Sequence, residues 1–150
     1  MRPDRGRVVR AGFVAAAIAS TGLVSGCGSS DITVGRVQTA IAATFANLFV
    51  DQQTLLGRPD FTRSQITAAA HCSQGGSTTH VGPGDDWVCL LHWRSFGGRA
   101  AKAAYDVQVQ VDGCFAAVGP SDVVGDTTVT TPTGRSVINP IYQFDGCFGT

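Results

Sequence analysis

The apolar residues between positions 33 and 56 recur at steps of three and four, the period of an α-helix with one buried side. This stripe consists of Val34, Val37, Ile41, Phe45 and Leu48. Asp31 or Thr33 can cap the start of such a helix, and Gly57 with Pro59 can end it. The pattern therefore predicts a helix over 33–56. Its stripe could bind a partner helix or a membrane, but packing on a sheet is the preferred interpretation.

A period of two residues dominates the middle of the chain, and it predicts β-strands. In 86–94 the tryptophans and Cys89 share one face, while Val88, Leu90 and His92 share the other. Since both faces are largely apolar, this segment is predicted to be a central strand. In 105–111 tyrosine and valine alternate strictly with aspartate and glutamine, which is typical of a half-buried antiparallel strand.

The remaining segments give weaker signals. The segment 64–72 could be a short helix, but a strand is preferred, with Ile66, Ala68, Ala70 and Cys72 on one face. Glycine and proline predict a loop over 73–85 and turns over 95–102 and 119–126. Asp112-Gly113 is predicted to turn into a strand over 114–118. A hairpin is expected from 127–131 and 135–138, and 141–148 closes the domain. The fold class is therefore α+β, one long N-terminal helix packed on an antiparallel sheet of about four to six strands.

The first 26 residues have the order of a secretory signal peptide. Four arginines precede a mostly apolar run over 11–24, which small residues follow. A helix of that length rises about 21 Å, whereas the hydrocarbon core of a bilayer is about 30 Å thick. A cleaved signal is therefore preferred to a permanent transmembrane anchor.

Val24-Ser25-Gly26-Cys27 resembles the lipobox of bacterial lipoproteins. The resemblance implies cleavage before Cys27 and a diacylglyceryl thioether on its sulfur, with acyl chains such as palmitate. Two acyl chains are enough for stable anchoring. The expected organisation is a signal peptide over 1–26, a short tether over 27–32 and one domain over 33–150. The domain would face the extracytoplasmic side of the cell membrane. An ordinary signal peptide that ends near a cysteine is the alternative.

Four cysteines remain once Cys27 is set aside, and an even number in an exported domain predicts two disulfides. Three pairings are possible. Cys72–Cys89 and Cys114–Cys147 are preferred because each joins neighbouring segments. A zinc site is disfavoured because no two of these cysteines have the close spacing of zinc ligands.

Charge and candidate chemistry exclude more than they indicate. Residues 27–150 hold seven basic residues and ten aspartates, a formal charge of −3, and this argues against nucleic acid as a partner. The segment 66–72 resembles the histidine segment of chymotrypsin-like proteases, with one extra alanine, but that family's serine segment is absent. His71, His80 and His92 could join Asp85 and Asp86 at a metal, although their spacing does not bring them together. No catalytic residue, metal or cofactor is therefore predicted.

The order of elements, together with Cys72 and Trp87-Val88-Cys89 around a glycine-rich loop, resembles small helix-on-sheet domains of actinobacterial lipoproteins of unknown function. Cystatin-like and β-lactamase-inhibitor-like domains are similar in outline. The resemblance implies a non-catalytic role in binding or envelope assembly, with an envelope protein or a cell-wall component as the partner. A small-molecule carrier is the alternative, with Trp87, Trp93 and Tyr105 lining an apolar pocket between helix and sheet. A hydrolase is the third alternative.

Overall fold

The computed structural model describes residues 31–76, 80–95 and 98–148, so the predictions for the signal peptide and for Cys27 lie outside the described residues. The main helix is α1 (Val34–Leu55), and a single 3₁₀ turn (Arg63–Gln65) follows it. A short helix, α2 (Ser121–Val124), precedes the last strands. The strands are β1 (Thr67–Gln74), β2 (Gly84–Arg94), β3 (Ala100–Val109), β4 (Cys114–Val118), β5 (Thr128–Thr130), β6 (Ser136–Ile138) and β7 (Gln143–Cys147).

Helix α1 forms where the apolar period predicts it. The Thr33 hydroxyl accepts a hydrogen bond from the Arg36 backbone N–H at 3.4 Å, so Thr33 is the N-cap. Beyond the C-terminal end, Gly57 has φ +82°, a backbone conformation that glycine adopts without strain. The buried side of the helix contains Val37, Ile41, Phe45, Ala46 and Phe49, and it continues into Gln52 and Gln53.

The five longer strands form one antiparallel sheet in the order β1-β2-β3-β4-β7, and β5 pairs with β6 in a separate hairpin. The α+β prediction is therefore confirmed. β2 lies between β1 and β3, as expected for a central strand. However, its second face is exposed, because Val88, Leu90 and His92 point away from the helix.

Several predicted boundaries are wrong. β3 begins at Ala100, inside the turn predicted over 95–102, because the alanines before Tyr105 extend the ladder with β2. Helix α2 occupies part of the turn predicted over 119–126. The prediction of a strand in 64–72 is confirmed from Thr67 onward, and it continues to Gln74.

The core lies between α1 and the inner face of the sheet, with Phe45 at its centre. The Phe45 ring is fully buried, and its centroid lies 4.9 Å from that of Trp93 and 6.0 Å from that of Tyr105. Its other ring contacts are Phe49 and Phe144. One aromatic side chain of the helix therefore contacts residues of three strands.

Asn139 holds the segment after β4 against the inner face of the sheet through hydrogen bonds. It is 1% exposed, its side-chain oxygen accepts from Gln52 Nε2 at 2.9 Å, and its amide nitrogen donates to the carbonyls of Val124 and Asp126. The molecule thus has two layers. Helix α1 and the segment around Asn139 pack on the inner face, and no element of residues 31–76, 80–95 and 98–148 covers the outer face of the sheet.

Candidate functional site

The described chain begins at one end of the sheet, close to the first residue of β2. The Ile32 carbonyl accepts a hydrogen bond from the Gly82 N–H at 2.8 Å, and Thr33 forms a β-bridge with Val81. Ile32 is 3% exposed, so the packed domain includes it. Asp31 comes four residues after Cys27, and a chain of that length spans at most about 14 Å when extended.

Both predicted disulfides are confirmed, and each joins residues directly opposite each other on neighbouring strands. Cys72–Cys89 links β1 to β2 on the inner face, where Cys72 is 8% exposed and Cys89 is fully buried. Cys114–Cys147 links β4 to the edge strand β7, and Cys147 is exposed. The sequence Asp-Gly-Cys-Phe occurs twice, at 112–115 and at 145–148, and the second bridge joins these two segments. Only the first of them contains a turn, at Gly113.

The three aromatic residues predicted to line a ligand pocket lie in the core. Trp87 is 1% exposed, Trp93 7% and Tyr105 0%. The Tyr105 hydroxyl donates to the Ile141 carbonyl at 2.7 Å, and burial raises the pKa of Tyr105 above its ordinary value. A ligand among these side chains would have to displace packed rings.

One donor and one acceptor in this core have no hydrogen-bond partner among the described residues. They are Trp87 Nε1 and Gln74 Oε1, and their residues are directly opposite in the β1–β2 register. Two isolated groups of this kind do not indicate a ligand class.

The three histidines do not converge. The rings of His71 and His92 lie on the outer face of the sheet, with centroids 5.8 Å apart. His80 is elsewhere, and its Nδ1 accepts a hydrogen bond from the Gln74 backbone N–H at 3.0 Å. Among the described residues, no group of three or more histidine, cysteine or acidic side chains is arranged to hold a metal ion.

The outer face of the sheet is a surface that no other element of the described chain covers. We define it by the outward residues of β1, β2 and β3, with Val118 on β4. The registers place His71 beside Leu90 and Leu90 beside Ala104, and further along the strands they place Val88 beside Asp106. Val88 is 42% exposed, Leu90 36% and Val118 38%. Leu90 and Ala104 are therefore neighbours in the middle of this face, and Val88 lies one row further along β2, where Asp106 separates it from Val118.

Along the strand direction, opposite charges lie on the two sides of the Leu90–Ala104 pair. The Arg94 end carries Arg94 itself, with His92 and Lys102 directly across from each other on β2 and β3. The other end carries Asp86 and Asp106, and Asp145 lies on β7 beside Ala116. Among the described residues, the side chains of Lys102 and Asp106 have no ion-pair or hydrogen-bond partner. The face therefore has a basic end and an acidic end that are both available to a partner.

The sequence pattern placed Val88 and Leu90 in the interior, on the second face of a central strand. The signal against this placement is that Asp86, His92 and Arg94 share that face, since a strand buried on both faces rarely carries charges.

No described helix is both long and apolar enough to cross a membrane. No protein-family model matches the chain, and neither a curated protein nor a solved structure similar to it was found.

Proposed function

We propose that the chain is a lipid-anchored protein of the cell envelope, and that its domain binds another envelope component through the outer face of the sheet. The role is in binding or assembly and does not include catalysis. The observation that carries the proposal is the outer face itself. Leu90 and Ala104 lie side by side at its centre, Val88 is the next outward residue along β2, and charges of opposite sign border them at known positions.

The position where the described chain begins supports the anchoring part. Asp31 lies four residues after the predicted lipid site on Cys27, at the end of the sheet where β2 starts. A tether that reaches about 14 Å holds the domain next to the bilayer. At that distance the domain meets membrane components and envelope proteins that lie near the membrane.

The carrier alternative has less support. It needs space beside Trp87 and Tyr105, and these two side chains are at most 1% exposed. Ring contacts with Phe45 and Phe144 occupy the region between helix and sheet. A ligand of useful size would need about 300 Å³, and so the core would have to open.

Acyl labelling of intact cells tests the anchor. Cys27→Ala should abolish incorporation of an alkyne-tagged fatty acid and release the protein from the membrane fraction. The matched control is the double change Cys114→Ala and Cys147→Ala, which also removes exposed sulfur but should leave labelling unchanged. If the Cys27→Ala protein still partitions with membranes as fully as the wild type, another feature anchors it.

Photo-crosslinking tests the binding surface. A benzophenone amino acid at position 118 on the outer face should give a discrete crosslinked product in intact cells. The same amino acid at Ile138, which is 78% exposed on β6 and lies off the outer face, should not. Equal products from both positions would argue against the outer face as the binding site.

A further inference from the structure

The charges of the outer face are arranged antisymmetrically about one pair of residues. Leu90 on β2 and Ala104 on β3 are directly opposite in the register. On β3, Lys102 lies two residues before Ala104 and Asp106 two residues after it. On β2, Asp86 lies four residues before Leu90 and Arg94 four residues after it. Lys102 and Asp106 thus lie at equal distances on the two sides of the Leu90–Ala104 pair. Arg94 and Asp86 also lie on opposite sides of it, with an irregularity in the register between Gly84 and Trp87 at the Asp86 end.

A surface with this pattern is complementary to itself. A two-fold axis that lies in the plane of the face and crosses the strands at Leu90–Ala104 exchanges the two ends. It places Lys102 opposite Asp106 of a second copy and Arg94 opposite its Asp86, and every such contact occurs twice. Leu90 then meets Leu90 at the axis. An axis parallel to the strands would instead place cations opposite cations, which is unfavourable.

We propose that the occupant of the outer face is a second copy of this chain, bound through an isologous sheet-on-sheet contact centred on Leu90. This proposal rests on the proposed function, since it names the partner of the same surface. The two sheets would pack about 10 Å apart, as in β-sandwiches. The exposed valine and leucine would be buried and the unpaired charges would be partnered.

The size of the face sets the strength of the dimer. The overlap covers three strands, about 14 Å wide, over the segment from Asp86 to Arg94, about 27 Å long. This amounts to an area of roughly 400 Å² on each copy, about half of what a standard stable interface buries. The contact is therefore weak in dilute solution. Anchoring in the same membrane raises the effective concentration and makes the contact significant.

The first experiment uses the full chain in intact cells. Two differently tagged copies are co-expressed, each with the benzophenone amino acid at position 90, and with position 138 as the control. We expect a product of twice the chain mass from position 90 that carries both tags. A product of another mass would overturn the second copy while leaving the proposed binding role intact. The absence of any product would overturn both.

Charge reversal provides the second experiment. Lys102→Asp alone, or Asp106→Lys alone, places like charges opposite each other twice and should lower the crosslinking yield at position 90 about tenfold or more. The two single variants are then co-expressed with different tags. In the mixed pair the introduced aspartate of one copy faces the introduced lysine of the other, and the native Asp106 and Lys102 that remain face each other. The mixed product should therefore recover to near the wild-type yield.

Controls separate this effect from misfolding. Both residues are exposed, so the variants should melt within about 3 °C of the wild type. Arg135→Asp and Asp122→Lys make the same charge changes off the outer face and should leave the yield unchanged. Failure of the mixed pair to recover would overturn the two-fold arrangement, and so would an equal loss in the control variants.

Discussion

Asn139→Ala should be among the most destabilising single polar substitutions in the domain. The Asn139 amide makes four hydrogen bonds, which is its full capacity for two donors and two acceptor lone pairs. It donates to the Val124 and Asp126 carbonyls at 2.9 Å each, and it accepts from Gln52 Nε2 at 2.9 Å and from the Ile141 backbone N–H at 3.3 Å. Alanine would leave all four partners without this contact at a position that is 1% exposed.

The expected loss follows from these bonds. At about 1 kcal/mol for each bond, the sum is about 4 kcal/mol. Water that enters the space of the lost amide recovers part of it, so we expect a loss of about 3 kcal/mol. Asn139→Asp has nearly the same shape, but it would face the Val124 and Asp126 carbonyls with an acceptor and bury a charge, and it should be at least as destabilising.

Urea unfolding of the purified oxidised protein measures this loss. The midpoint should fall at an unchanged m-value. Asn47→Ala is the matched control, because Asn47 is exposed on α1, and it should change stability by less than about 0.5 kcal/mol. A double-mutant cycle that combines Asn139→Ala with Gln52→Ala should show a coupling free energy of about 1 kcal/mol, since the two side chains share a hydrogen bond. A loss below about 1 kcal/mol for Asn139→Ala would refute the reasoning.

Three further outcomes are expected. Mild reduction followed by alkylation mapping should modify Cys114 and Cys147 before Cys72 and Cys89. Cys147 is exposed, whereas both cysteines of the other bridge are buried. Modification of all four cysteines at the same rate would contradict this. Tyr105→Phe should cost about 1 to 2 kcal/mol at pH 7 through loss of the Ile141 hydrogen bond. Burial raises the folded-state pKa of Tyr105, so just above the ordinary tyrosine pKa of about 10 only the unfolded state loses this proton. The free energy of unfolding of the wild type should therefore fall with pH in this range more steeply than that of Tyr105→Phe, as urea titrations would measure. Gly57→Ala should lower the melting temperature, since φ is +82° and the new Cβ would lie 2.6 Å from Pro132 Cγ, whereas Gly35→Ala in open space on α1 should raise it.

The parts of the fold that sequence predicted well are those where periodicity and burial agree. Helix α1 has a wide apolar stripe with a threonine cap, and the inner residues of β2 alternate without interruption. The first disulfide was predictable because Cys89 shares the face of Trp87 and Leu91, and because β1 and β2 are consecutive strands. The second pairing then follows from the two cysteines that remain.

The parts that were missed depend on tertiary context. The alanines that begin β3 have low strand propensity, and they are in the sheet because β2 offers a ladder on which to pair. Gln52 and Gln53 are polar positions on α1, yet they are buried. Asn139, 87 residues further along the chain, accepts a hydrogen bond from Gln52, and Gln53 in turn donates to Gln52 and accepts from Arg58. Periodicity also could not tell whether the second face of β2 is covered, since this depends on which elements pack there.

The proposed anchor and the proposed dimer together restrict how the protein sits on a membrane. The two-fold axis crosses the strands, so it places the two copies of Asp31 at opposite ends of the paired sheets. Both lipids can enter one bilayer only if the strands run along the membrane surface, with one edge of each sheet facing the lipid. The described chain starts beside the beginning of β2, the second strand from the β1 edge of the sheet. Neighbouring strands are about 4.8 Å apart, so the proposed tether from Cys27, which reaches about 14 Å when extended, is long enough to bring the lipid past that edge. A dimer that stood upright would instead direct its second lipid away from the bilayer, so the short tether and the charge pattern favour the flat orientation.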